Sequence, residues 1–100
     1  MPSTGSEKIA IENVIRPGKT YNVDAAKYEA MRRAFLKVLP KKAPGLTVAE
    51  VQKAVVTHLP EELFPGGAKA GWWMKAVQLD LEAKGVVARE KTTPLRLRKV

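Results

Sequence analysis

Residues 68–84, AKAGWWMKAVQLDLEAK, repeat apolar side chains at helical spacing and stop at Gly85; two short basic segments, VVAREK and LRLRKV, follow, joined by Thr92-Thr93-Pro94. No other stretch constrains the fold as tightly. Successive helical residues turn by about 100°. That turn groups Ala70, Trp73, Met74, Val77 and Leu81 on one arc of core-stripe width. Trp72, Ala76, Leu79 and Ala83 form a second apolar stripe on another side. Its cover can be the N-terminal arm, a second copy of the chain or a ligand. The neighbouring indoles of Trp72 and Trp73 diverge, so one is expected in the core and the other outside it. Gly85 suits the left-handed residue just past a helix end. Beyond it, Leu95 and Leu97 alternate with Arg96 and Arg98, so one face of a hairpin can pack while the other projects arginines.

Upstream, residues 1–8 read as a mobile tail, and residues 9–23 as a short hairpin or extended arm. Arg16-Pro17-Gly18-Lys19 supplies its turn, with Pro at the second position and Gly accepting positive φ at the third. Asp24 is a good N-cap for a first helix over Ala25–Leu39. Tyr28, Met31, Phe35, Leu36 and Leu39 recur along it at three- and four-residue spacing. Thr47-Val48-Ala49-Glu50 is a capping box opening a second helix to about Leu59, with Leu46, Val48, Val51, Val55 and Leu59 inward. About eight residues, Pro60–Gly67, then separate the second and third helices, more than the three or four usual in a helix-turn-helix.

The chain has 100 residues and a formal net charge of +8, and it has no cysteine. That length makes one domain with one small core. The absence of cysteine removes disulfides and thiolate metal sites and fits a reducing cytoplasm. No apolar run reaches the roughly 20 residues needed to span a bilayer. Residues 84–100 carry Lys84, Arg89, Lys91, Arg96, Arg98 and Lys99 against Glu90 alone, a patch that attracts polyanions. Catalytic chemistry has little to work with. His58 is the sole histidine, with only Glu61 and Glu62 near it in sequence, and Asp80 and Glu82 diverge on their helix. At the start of the third helix, Gly66 and Gly67 can offer backbone N–H groups to a phosphate, with Lys69 adding charge.

The run LDLEAKGVVARE followed by PLRLR resembles the helix-three-to-wing segment of winged helix-turn-helix domains. There a leucine four residues before a glycine is buried and an arginine follows the first wing strand; Leu81, Gly85 and Arg89 match. The pieces PGKTYNVDAAKYEAMRRAFL, LPKKAPGLT and GWWMKAVQLDLEAKG resemble a small bacterial family of uncharacterised proteins, a domain of unknown function, from about residue 13 onward. That resemblance implies a winged-helix fold. It brings no established activity, substrate or site residues.

The expected fold is mainly α with a small β-hairpin (α+β). It is a winged helix-turn-helix of three helices plus a C-terminal wing and an N-terminal arm. Residues 9–100 form a single domain, with 9–23 the arm and 24–100 the core and wing. The expected function is non-enzymatic nucleic-acid binding in the cytoplasm, to double-stranded DNA, as a candidate transcriptional regulator. Lys69, Trp72 and Lys75 would meet the duplex, and Arg89, Lys91, Arg96 and Arg98 would hold phosphates. The alternative is a protein-interaction or self-assembly module that uses Trp72, Ala76, Leu79 and Ala83 and binds no DNA. DNA, a protein partner or a second copy are the partners considered; no membrane, small-molecule substrate, cofactor or metal is expected.

Overall fold

The computed structural model describes residues 7–100. Of the tail expected at residues 1–8, residues 1–6 lie outside them. The described chain is α+β, with three helices and two small antiparallel sheets. Strand β1 (Lys8–Glu12) pairs antiparallel with β2 (Thr20–Asp24), Ile11 opposite Tyr21 and Ile9 opposite Val23. The Pro-Gly turn forms between them: the Lys19 N–H donates to Arg16 O at 3.2 Å, and Gly18 takes φ +87°.

Helix α1 (Ala25–Val38) begins where the Asp24 carboxylate accepts from the Lys27 N–H at 3.0 Å. It ends one residue earlier than expected, Leu39 being its C-cap, because Pro40 disfavours helical backbone at the residue before it. Strand β3 (Leu46–Thr47) leads into α2 (Val48–Val56), whose capping box is complete in both directions. That helix stops well short of Leu59. A thirteen-residue connection, 57–69, follows in place of the eight expected. It includes a 3₁₀ turn at Pro65–Gly67 and is fixed by Phe64, which is buried and meets Trp73 edge-to-face at 6.4 Å.

Helix α3 (Ala70–Ala83) starts two residues later than expected, because Lys69 sits in the left-handed region at φ +60° and turns the chain into it. Its end is a Schellman motif: Val86 N–H donates to Leu81 O at 2.9 Å, Gly85 N–H to Glu82 O at 3.1 Å, and Gly85 takes φ +76°. Strands β4 (Val87–Glu90) and β5 (Arg96–Lys99) form the C-terminal hairpin. The short β3, which the periodicity did not announce, pairs with the free edge of β5, giving the order β3-β5-β4. At Gly45 (φ +85°) an added Cβ would lie 2.1 Å from Leu97 O, so only glycine lets the chain pass this close to β5.

The core unites all these elements. Met31, Phe35, Val51, Val55, Val77 and Leu97 are fully buried at its centre. Trp73, Met74, Val77 and Leu81 all face inward, as the periodicity requires. Gly71 is accounted for by packing of α3 on α2, since a Cβ there would come within 3.1 Å of Gln52 Nε2.

Candidate nucleic-acid interface

The N-terminal hairpin covers part of the outer side of α3. Val14 N–H donates to Leu79 O at 3.2 Å, and Leu79 is only 8% exposed. Of the second apolar stripe, Ala76 and Ala83 are half-buried and Trp72 alone is open, at 59%. The stripe therefore offers no continuous surface through Leu79; its cover is the chain's own arm.

That docking turns on a carboxylate, Asp80, whose place in the core no local pattern announces. Asp80 is fully buried, 0% exposed. It accepts from the Tyr28 hydroxyl on α1, from the Glu12 N–H of β1 at 2.8 Å, and from Lys84 Nζ at 2.7 Å. One side chain thus joins hairpin, first helix and third helix. Burial, and after it the bond to Asp80, holds the Tyr28 phenol well above its ordinary range. The available signal was Tyr28 together with the i,i+4 pair Asp80–Lys84; the Glu12 N–H, a main-chain group, has no signature in the residue code.

The wing is less cationic than its composition. Arg89 shares the face that carries Val87 inward and reaches Glu82 with bonds of 2.5 and 2.9 Å. Those bonds raise its guanidinium above the usual value. Arg98 meets Glu90 at 2.7 Å, diagonally across the strand pair. Arg96 donates to Gly45 O at 3.0 Å and lies 3.9 Å from Glu50. Six basic groups in residues 84–100, facing Asp80, Glu82, Glu50 and Glu90, leave an excess of two. Lys91 and Lys99 are the members of that patch with no carboxylate partner among the described residues. The backbone groups thought open to a phosphate are also engaged: Gly66 N–H donates to Glu61 at 2.9 Å and Gly67 N–H to Phe64 O at 2.8 Å.

Free positive charge gathers instead around Trp72. This indole packs edge-to-face on Trp73 at 5.0 Å while remaining largely exposed. It stands between two hollows. One, of about 470 Å³, is lined by Lys27, Lys69, Trp72 and Trp73. The other, of about 390 Å³, is an apolar groove between the hairpin and α3, with Lys75 among its walls. Lys69 and Lys75 are exposed, Lys27 is half-buried, and none of the three meets a carboxylate among the described residues. Lys27, at the start of α1, was not among the residues singled out from the sequence; it arrives through the packing of α1 on α3. His58 lies exposed beyond the end of α2.

Among the described residues, no helix is long and apolar enough to cross a membrane. A family model described as a family of unknown function (DUF6958) matches residues 8–97. No curated protein and no solved structure matches the chain.

Proposed function

The chain belongs to the family of unknown function DUF6958, and we propose, from its own residues, that it is a non-enzymatic nucleic-acid-binding protein whose target is duplex DNA. The observation that carries this reading is the exposed Trp72 set among Lys27, Lys69 and Lys75 at the start of α3. An exposed aromatic face amid lysines that meet no carboxylate among the described residues is a surface that phosphates and bases together select.

The order of elements supports a winged helix-turn-helix. After the arm come helix, short strand, helix and helix, then a hairpin whose second strand is flanked by the short one. Helix-turn-helix proteins present a recognition helix by its N-terminal residues. In α3 those are the residues the hairpin leaves open. The wing would contribute Lys91, while Arg89, Arg96 and Arg98 are spent largely on carboxylates. With Lys27, Lys69, Lys75 and Lys91 as roughly four phosphate contacts, affinity for a labelled duplex falls about 150-fold between 50 and 200 mM salt, from a slope near −0.9 per contact. A flat response in an anisotropy titration refutes the reading.

One observation favours a second reading, a self-assembly or protein-interaction module. Tyr21 (41% exposed) leaves apolar surface beside Trp72, and Ile15 (61%) is a further exposed apolar side chain on the hairpin. Light scattering on the wild type and on Trp72→Glu decides the self-assembly form of it: a dimer that this substitution splits supports assembly, and a monomer in both removes assembly.

A further inference from the structure

We infer that the groove between the hairpin and α3 receives one unpaired nucleobase, so that the nucleic acid held best carries a single-stranded or extruded nucleotide. This rests on the nucleic-acid reading above and adds what the groove itself recognises.

The starting point is Tyr21. On an antiparallel pair, directly opposite residues and alternate residues along a strand share a face. Ile11, opposite Tyr21, is buried, and so is Val23, two residues along, so Tyr21 stands on the inward face of the hairpin. It is nevertheless 41% exposed, because the groove rather than a core side chain lies before it. An inward-facing aromatic ring left open, with Trp72 also walling the same groove, is a stacking site for a planar group. The floor is apolar, formed by Ile11, Val23 and Leu79. At about 390 Å³ the groove is at the small end of ligand clefts, a volume for one nucleotide and not for a duplex.

Charge selects a nucleotide over a neutral ring. Lys75 and Glu12 both wall the groove, and across Trp72 lies the second hollow with Lys27 and Lys69, so lysines outnumber carboxylates three to one around the indole. A strand crossing the indole sets its base in the apolar groove and its flanking phosphates beside these lysines on either side. Extrusion of a base from a duplex has a stacking cost that a strand already single avoids.

The test uses three fluorescein-labelled probes of equal length: a thymidine decamer, the same decamer with abasic residues, and a duplex. The two single strands carry the same phosphates and differ only in bases. The thymidine strand should bind about 5- to 150-fold more tightly than the abasic strand, the range for one stacked base. Trp72→Ala and Tyr21→Ala should each remove most of that preference, and Trp72→Phe should restore part of it; circular dichroism melts confirm that each variant is folded. Equal affinity for the two strands, or a preference that survives Trp72→Ala, overturns the inference even where duplex binding persists. Failure of all three probes to bind overturns the nucleic-acid reading itself.

Discussion

Replacing Asp80 by alanine removes the acceptor that joins the hairpin to two helices. The Tyr28 hydroxyl loses its partner in the buried interior, and the part-buried Glu12 N–H loses its own where water can reach it. A buried donor left unsatisfied costs about 1–3 kcal/mol and the part-buried one costs less, so the two together cost about 1–4 kcal/mol. Lys84, 38% exposed, rehydrates, and its loss adds less than about 1 kcal/mol. Set against the roughly 5–15 kcal/mol that holds a domain of this size together, the variant should lose a large fraction of its stability. Urea denaturation followed by circular dichroism and by tryptophan fluorescence measures the loss. Asp80→Asn keeps the shape and one acceptor oxygen, so it should lose less. Tyr28→Phe removes a single donor and should cost about 0.5–1.5 kcal/mol. Because Tyr28 and Asp80 touch, the double variant should fall short of additivity by about 0.5–3 kcal/mol. If Asp80→Ala unfolds within about 0.5 kcal/mol of wild type, the size expected of an ordinary surface substitution, the carboxylate is not the joint described above.

Three further outcomes follow from the same contacts. Tyr28 is held protonated above its unfolded-state value, so its contribution is complete below about pH 10 and is lost as pH rises beyond that. The urea midpoint should therefore decline on the alkaline side, and Tyr28→Phe should flatten that decline; an identical limb in both proteins refutes the assignment. Glu82→Gln releases Arg89 to the solvent, and the salt slope of duplex binding should steepen by about 0.9, one added phosphate contact; an unchanged slope means Arg89 is not masked by Glu82. Gly45→Ala should destabilise by more than the roughly 1–2 kcal/mol of a left-handed alanine, since its Cβ also strikes Leu97 O; a normal melting temperature contradicts the close approach.

Much of this architecture was legible from local chemistry. Asp24, the Thr47–Glu50 box and Gly85 act within one turn of chain, and each marks a helix end. The split between Trp73 inside and Trp72 outside follows from helical rotation alone. What the sequence hid is what depends on distant partners. Asp80 reads only as a carboxylate that diverges from Glu82 on the helix, yet its partners come from residues 12, 28 and 84. The wing arginines read as a phosphate clamp because a charge count along the chain cannot see that Arg89 meets Glu82 on α3, or that Arg98 meets Glu90 across the hairpin. Lys69 reads as the first turn of a helix; its left-handed backbone delays that helix by two residues and aims the lysine beside Trp72. The arm was one of three candidate covers for Leu79, and no local signal distinguishes them.

The pairing of β3 with β5 has a kinetic consequence. Leu46 meets Leu97 with about fifty residues of chain between them. The helices and the first hairpin close over short spans, whereas this strand pair must wait for most of the polypeptide to be in place, since long closures are slow. Contacts made after the rate-limiting step govern how fast the protein comes apart, not how fast it assembles. In a chevron plot, Leu97→Ala should accordingly steepen the escape from the native state and leave the refolding arm nearly untouched, whereas Met31→Ala in α1 should slow refolding.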